Sequence, residues 1–298
     1  MNFEKFGKVE KGNSKLYFKN NIESVQLQWL RNVLGVNSKS SKIAILAEVG
    51  SYPLIACICQ ILAKYWARMR NIQDNSLLYH SFQENKAMLN KQCGCWLGKV
   101  QQLLMTCNSY VNANNECIDI ENISDSDRVI GAEIENKIKD LYDRQFRMDL
   151  DQDYVYGNEQ NKLRTYRKFK RDIRREKYLT QIKNHRIRKN VCRLRISSHN
   201  LPIETGRHRR PNKVPSNLRI CNECSTGNIG DEYHIVMECT NYIAPRATLL
   251  NDIFKIQATF REYTDEEKFI EIMKLDNESI INLVVKYLKI IIDIRGEF

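Results

Sequence analysis

The sequence predicts a mainly α-helical protein, and three observations carry that reading. Gly (12) and Pro (5) are scarce in 298 residues, too few for the dense turns of an all-β fold. Apolar residues recur at three- and four-residue spacing in segment after segment. Hydrophobic residues make up 42% and charged residues 28%, the balance of a chain that buries a core rather than one that stays disordered. The expected order is a helical scaffold over 1–115, an acidic helix and linker over 116–160, and a basic helical segment over 161–218. A small Cys3His zinc knuckle over 219–244 and closing C-terminal helices over 245–298 follow.

In the scaffold, Val25, Leu27, Trp29, Leu30, Val33 and Leu34 crowd a segment that ends at Gly35, a helix stop. A short helix over Ser41–Val49 ends at Gly50, and Pro53 suits the first turn of the next. That helix carries Ile58, Ile61, Leu62, Tyr65, Trp66 and Met69, and two more are expected over Ser76–Leu89 and Cys95–Cys107. After a polar loop over Asn108–Asn122, the run from Ser124 to Asp127 offers N-caps to a helix with Ile130, Ile134, Ile138, Leu141 and Gln145 on one face. Residues 116–153 hold 12 acidic and 5 basic side chains. They read as a solvated face or, more sharply, as an acidic element covering the basic segment when no polyanion is bound. Polar Asp151–Asn161 with Gly157 marks a boundary. Near the end, Thr264 and Glu267 fit a capping box. The last helix, Glu278–Ile294, has a polar stripe of only Glu278, Asn282, Lys286, Lys289 and Asp293. It must bury most of its surface, by default inside the fold and otherwise against a protein partner.

Lys and Arg total 47 against 36 Asp and Glu, and the excess is local. Between Lys162 and Arg219 lie 20 basic and 3 acidic residues, a net of +17, while the remainder sums to −6. Such a segment points to a polyanion, most simply RNA or DNA held through phosphates; an anionic membrane surface is the competing partner. On a helix beginning at Lys162, Leu163, Tyr166, Phe169 and Ile173 share one face, and Arg164, Lys168, Arg171 and Arg175 another. Arg167, Lys170 and Arg174 widen the cationic stripe. A second basic helix is expected over Arg186–Arg195, including Arg193. The aromatics Tyr166, Phe169 and Tyr178 read as core.

Met1–Ser14 has no apolar run of the signal-peptide kind. The most hydrophobic stretch, Ile43–Ala63, is interrupted by Glu48, Gly50 and Pro53 and falls short of a membrane span. An intracellular location, nucleus or cytoplasm, is expected. Of the ten cysteines, Cys57, Cys59, Cys93, Cys95, Cys107 and Cys117 sit in or beside apolar stretches and read as reduced, mostly buried thiols.

The other pattern is C-x2-C-x9-H-x4-C, formed by Cys221, Cys224, His234 and Cys239. Three thiolates and an imidazole satisfy tetrahedral Zn²⁺ with no open position, so one structural zinc is expected. Such a metal stabilises the fold, by roughly 10–16 kcal/mol apparent in zinc-finger peptides. Gly227 and Gly230 let the intervening strand–turn fold back.

The order Y-R-K-F-K, R-R-E-K-Y-L, R-L-R-I-S-S-H-N-L-P-I-E-T-G-R-H-R-R-P, R-I-C-N-E-C and G-D-E-Y-H-I-V-M-E-C-T-N-Y resembles the zinc-binding C-terminal region of LINE-type (non-LTR) retrotransposon reverse transcriptase polyproteins. The earlier L-R-N-V-L-G-V and A-E-V-G-S-Y-P-L resemble the helical stretch that follows the polymerase there. The resemblance spans about 30–245 and is strongest over 190–242. It implies a zinc knuckle on Cys221, Cys224, His234 and Cys239. It also implies nucleic-acid contacts by flanking residues such as Arg193, Arg195, Arg207, Arg209 and Arg210. The Cys224–His234 gap is longer than in retroviral knuckles, so their base-pocket logic does not transfer. The family's F/Y-x-D-D signature and its endonuclease constellation are missing from these residues, and a polymerase needs clustered aspartates for two metals. The expectation is therefore a non-enzymatic nucleic-acid-binding module, a tail fragment of such a polyprotein. The alternative is a zinc-stapled protein–protein interaction module or a decaying reading frame. Asp149, Asp151 and Asp153 read as a solvated run rather than a metal nuclease site.

Overall fold

A computed structural model describes residues 21–70, 72–91, 94–107, 127–155, 162–209 and 211–298. In chain order the α-helices are α1 (Asn21–Leu34), α2 (Lys42–Val49), α3 (Leu54–Arg70), α4 (Leu77–Asn90), α5 (Trp96–Cys107) and α6 (Asp127–Val155). There follow α7 (Tyr166–Phe169), α8 (Tyr178–Gln181), α9 (His185–Arg195), α10 (Pro202–Thr205), α11 (Ile243–Ile256), α12 (Asp265–Lys274) and α13 (Glu278–Arg295). Among the described residues there is no strand, and one antiparallel bridge joins Ile220 to Ile229. The mainly helical class stands. The polar loop over Asn108–Asn122 and the N-cap candidates Ser124, Asp125 and Ser126 lie outside the described residues, as do Cys93, Cys117 and Arg210.

Contacts divide the chain into two compact units, one containing Tyr52–Gln145 and the other Val25–Ser51 with Phe146–Phe298. In the first, Trp66, Ala63 and Ala67 of α3 pack with Leu97, Val100 and Leu104 of α5 and with Ile130, Ile134 and Ile138 of α6. The isoleucine face expected of α6 is therefore buried, while Leu141 packs at its edge. Ser76 caps α4 by accepting the Tyr79 N–H. Cys59 and Cys107 are free and buried, and burial pushes their thiols up to about 11 and about 12, which leaves them unreactive. Cys57 departs from the buried expectation, because its side of α3 faces solvent.

The second unit has its core around α13, whose Ile280, Ile281, Val284, Tyr287, Leu288, Ile291 and Ile292 are all buried. Its five expected polar positions are exposed, so its apolar face docks inside the fold. α11 and α12 pack in the same core through Leu249, Ile253, Phe269 and Ile272. The Thr264–Glu267 capping box is formed in full. From α1, only Leu27, Leu30 and Leu34 join this core; Val25, Trp29 and Val33 point outward. α2 ends at Gly50, with φ 65°. A Cβ there would lie 2.2 Å from the Arg175 backbone nitrogen, so both the left-handed turn and the close approach require glycine.

One expected element is corrected. The continuous basic helix beginning at Lys162 is a single turn, α7, followed by extended backbone from Lys170, at φ −129° and ψ 119°. Long-range pairing overrides the helical period. The Glu176 N–H donates to Glu48 O at 3.0 Å, and Lys170 Nζ turns inward to Glu176 Oε1 at 2.5 Å and to Arg174 O at 2.6 Å. A solvated helix would leave Lys170 on the surface, whereas it is 3% exposed here. The second basic helix forms as α9, capped by Asn184. The polar stretch read as a boundary begins inside α6, which runs to Val155.

Candidate functional site

The Cys/His cluster is assembled by a hairpin and a π-turn. Cys221 N–H donates to Asn228 O at 2.8 Å and Gly230 N–H to Arg219 O at 2.9 Å, closing the hairpin around the Ile220–Ile229 bridge. Gly227 supplies its positive φ, 74°. Gly230 is packed so closely against Pro202 that a Cβ would meet the ring at 2.8 Å. Cys221 and Cys224 therefore share one tight turn, and the Glu223 N–H donates to the Cys221 sulfur at 3.3 Å.

His234 and Cys239 are brought together by backbone that α-geometry would not supply. At 3.6 residues per turn, positions five apart point to different sides of an α-helix. Here His234–Glu238 is a π-turn, and Cys239 N–H donates to His234 O at 2.7 Å, so one wide i→i+5 turn closes on the two ligands. The turn is held from outside itself. Tyr287 of α13 donates its hydroxyl to Val236 O at 2.9 Å, and Arg246 donates to Cys239 O at 3.0 Å. Asp231 accepts the His234 N–H at 2.9 Å, as an acidic side chain does at a helical N-terminus.

The four ligand atoms, three sulfurs and an imidazole nitrogen, lie within 4.8 Å of one another, and Cys221, His234 and Cys239 are buried. Cys224 Sγ sits 3.3 Å from His234 Nε2. Sulfurs on one tetrahedral ion at about 2.3 Å would be about 3.8 Å apart, so the observed spread needs only side-chain adjustment. His234 Nδ1 is 3.1 Å from Glu238 Oε2, the carboxylate partner that orients a ligating imidazole and leaves Nε2 for the metal. Burial pushes the Cys239 thiol up to about 12 and raises Cys221 as well. Burial pushes the Cys224 thiol up, but the hydrogen bonds from Thr226, His234 and Cys221 together outweigh it and bring it down to about 6. The cluster can hold a metal ion, and its donor set of soft sulfur plus nitrogen excludes the hard oxygen-seeking cations.

The basic residues separate sharply by place. Arg195 is 1% exposed. Its NH2 lies 3.0 Å from Glu48 Oε1 and 2.7 Å from Glu176 Oε2, and it also donates to Met273 O. Its guanidinium lies 4.7 Å from the Phe169 ring centroid and 5.2 Å from that of Tyr178, whose hydroxyl donates to Glu48. Glu48, Glu176, Arg195 and Lys170 thus form a charge-balanced buried network. Arg164 belongs to a second one, donating to Glu204 Oε1 at 2.9 Å and Glu232 Oε2 at 2.6 Å. Glu232 is fully buried and also accepts from Thr165, Ser197 and His199 Nε2. His199 Nδ1 in turn stands 3.3 Å from the Leu201 backbone nitrogen, so both ring nitrogens are engaged. Burial opposes ionisation of Glu232, yet Arg164 and His199 hold it well below the usual carboxylate range.

Arg195 and Lys170 therefore do not meet phosphates, since their cations are neutralised and hydrogen-bonded inside the protein, and Arg164, half-buried, is likewise committed to Glu204 and Glu232. Arg207 is half-buried, 3.3 Å from Glu204, and Arg193 donates to Gly35 O and Phe298 O, both at 2.7 Å. Arg167 is half-buried. Lys168 and Arg171 are exposed and paired with Glu266 and Asp151, each at 2.7 Å. Arg174 is exposed with Asp172 at 3.5 Å, and Arg175 and Arg209 are exposed. Sequence reasoning missed the roles of Glu48 and Glu232, which lie far along the chain from the cations they neutralise, and of Glu176, which a continuous helix would have left on the surface. An acidic residue inside an apolar run, as Glu48 is in A-I-L-A-E-V, was the available signal. Tyr287 and Arg246 carried no such mark.

No family model, curated protein or solved structure matches this chain.

Proposed function

We propose that the protein is a zinc-ordered nucleic-acid-binding module that contacts RNA or DNA through phosphates and performs no catalysis itself. The observation that carries this reading is the uneven fate of the basic segment. The buried Lys170 and Arg195 are matched by carboxylates and the buried Arg219 is tied to the backbone carbonyls of Val214 and Ile203, while Lys168, Arg171, Arg174, Arg175, Lys177, Lys183, Arg186, Arg209 and Lys213 remain exposed. Ion pairs made by exposed groups, such as Arg171–Asp151 and Lys168–Glu266, are worth about 0–1 kcal/mol. A phosphate can displace them at little cost. Zinc is the metal that best suits three thiolates and an imidazole in a closed site, and it would fix the hairpin and π-turn. The likeness of the 190–242 motifs to the retrotransposon region supports the same reading and makes a fragment of such a polyprotein its natural origin. The interaction-module alternative has less to stand on, since α13 covers its apolar face internally.

Binding to RNA and DNA, single- and double-stranded, measured by fluorescence anisotropy across salt tests the proposal. With roughly five to seven phosphate contacts, the log–log salt slope on duplex DNA is about −4 to −6. Replacing Arg171, Arg174, Arg175 and Arg209 by Gln flattens that slope and weakens binding to all sequences alike. Unchanged affinity and slope in that variant would leave the segment a solvated face and end the reading.

A further inference from the structure

Beside the second buried network lies a recess of about 510 Å³, within the range of about 300–1,000 Å³ typical of small-molecule sites. Its walls come from the turn after α1, the turn after α9, and α10. Lys39, Lys162, Arg193 and His208 line it. Glu204 is the one acidic side chain on its wall among the described residues, and that carboxylate is already held by Arg164 at 2.9 Å and Arg207 at 3.3 Å. Its one acidic side chain is therefore already neutralised, and the chain-terminal carboxylate of Phe298, also on the wall, is held by Arg193, which leaves the two lysines as the uncompensated charge.

Its lysines differ from the other inward cations of this unit. Lys170 and Arg195 face carboxylates. Lys162 is half-buried, and its Nζ has one neutral acceptor, Lys39 O at 3.4 Å. Lys39 Nζ and the His208 imidazole have no side-chain partner among the described residues. Burial lowers the affinity of Lys162 for its proton, and the Glu204 carboxylate offsets this only in part, as for a desolvated cation with no direct ion pair. Arg193 donates to Gly35 O and to Phe298 O, an oxygen of the chain-terminal carboxylate, and Glu297 stands 3.8 Å away. Its charge is thus already engaged, and Lys39, Lys162 and His208 are the groups left facing the recess. Neutral donors complete the rim, with Asn37, Asn200 and Thr205 among the lining side chains. The turn that forms the floor is strained: Ser197 has φ 52°, and it is pinned by Ser197–Glu232 at 2.6 Å and Ser40–Ser198 at 2.7 Å. Such a backbone persists only where its surroundings over-determine it, which keeps the recess preformed.

We propose that this recess, with Lys39, Lys162 and His208 converging on it beside Arg193, binds a phosphate group of a nucleotide and so anchors a nucleic-acid strand at one point. The inference rests on the nucleic-acid reading above and names the place where that contact is a pocket rather than a surface. The phosphate belongs either to a strand end or to an internal linkage, and the chemistry of recognition is the same.

The test compares the full chain with its Lys39→Gln/Lys162→Gln double variant. Neither lysine makes an ion pair, so the melting temperature of the variant is expected to stay near the parent's. The probes are a short single-stranded RNA with a 5′-phosphate, the same RNA with a 5′-hydroxyl, and adenosine 5′-monophosphate alone. The double variant is expected to bind the 5′-phosphorylated RNA about tenfold more weakly, with the salt slope flattened by about 1.4 for two lost single-strand contacts. The monophosphate is expected to bind the parent saturably and the variant not at all. Preference for the 5′-phosphate assigns the recess to a strand end; equal loss on both RNAs assigns it to an internal linkage. If the parent binds RNA and the double variant matches it in affinity and slope, the recess is overturned while the nucleic-acid reading stands. If the parent binds no RNA, that reading falls, and monophosphate binding decides the recess by itself: loss in the variant upholds it, and absence in the parent overturns it.

Discussion

At the scale of single residues, the most consequential placement is that of Arg195. A cation in a basic run reads as a surface contact until its carboxylates are found, and Glu48 and Glu176 hold this one in the core. Arg195→Ala strands both acids without their counterion and is expected to destabilise the protein by about 3–5 kcal/mol. Urea denaturation measures the loss, and a variant as stable as the parent would show that the network is not formed in solution. The same replacement is a poor probe of nucleic-acid binding, because lost binding would report unfolding.

Glu135 shows the opposite, exposed kind of pairing. Hydrogen bonds from Lys139 and Lys64, at 2.8 and 2.9 Å, hold its carboxyl at about 2. A folded value below the unfolded one, about 4.3, means that its contribution to stability is complete above that pH and is lost as pH falls toward 2. Solvent screening keeps that contribution under about 1 kcal/mol. An NMR titration of the Glu135 carboxyl should find its midpoint near 2. In Lys64→Gln/Lys139→Gln it should return to about 4.3. An ordinary midpoint in the parent would mean that the pairs do not persist.

At the scale of elements, the π-turn and the hairpin are each incomplete without the cluster they carry. The His234–Glu238 turn closes through Cys239 N–H on His234 O, and Tyr287 and Arg246 meet the carbonyls of Val236, Glu238 and Cys239 from outside it. The hairpin holds a lone bridge. A metal ion joining Cys221 and Cys224 to His234 and Cys239 would link the two pieces. We predict one zinc per chain by elemental analysis, and loss of it in Cys221→Ser and in His234→Ala. Chelation should raise amide hydrogen exchange across 219–242 first. Full zinc content in both variants would remove the assignment.

At the scale of the whole molecule, no polymerase activity is expected. Primer extension on a primed RNA template with Mg²⁺ or Mn²⁺ should give no product, because the sequence lacks the paired aspartates that hold two catalytic ions. Extension that copurified with the protein through stringent washes would reverse that. The molecule's charge is likewise divided by depth. The +17 of residues 162–219 comprises cations engaged inside the fold, by Glu48 and Glu232 from outside the segment among others, and cations that stay exposed, and only the second can set a salt dependence.

The sequence by itself determined the helical class, because apolar spacing and caps are local. Ser76, Gly50, the Thr264–Glu267 box and the apolar face of α13 all act within a few residues of where they stand. It also picked out the four side chains that the fold brings together where a metal ion could be held, since ligand chemistry is a matter of residue type and spacing. Tertiary structure alone decided which cations are available. Periodicity placed Lys170 on an outward helical stripe, and the cost of leaving Glu176 unpaired in a buried position turned it inward and ended the helix at α7. It also decided that the five-residue His–Cys spacing would close as a π-turn, because the carbonyls that such a turn leaves over are met by Tyr287 and Arg246 from later helices. A buried charge selects its partner by proximity in space, and no local pattern in the chain carries that distance.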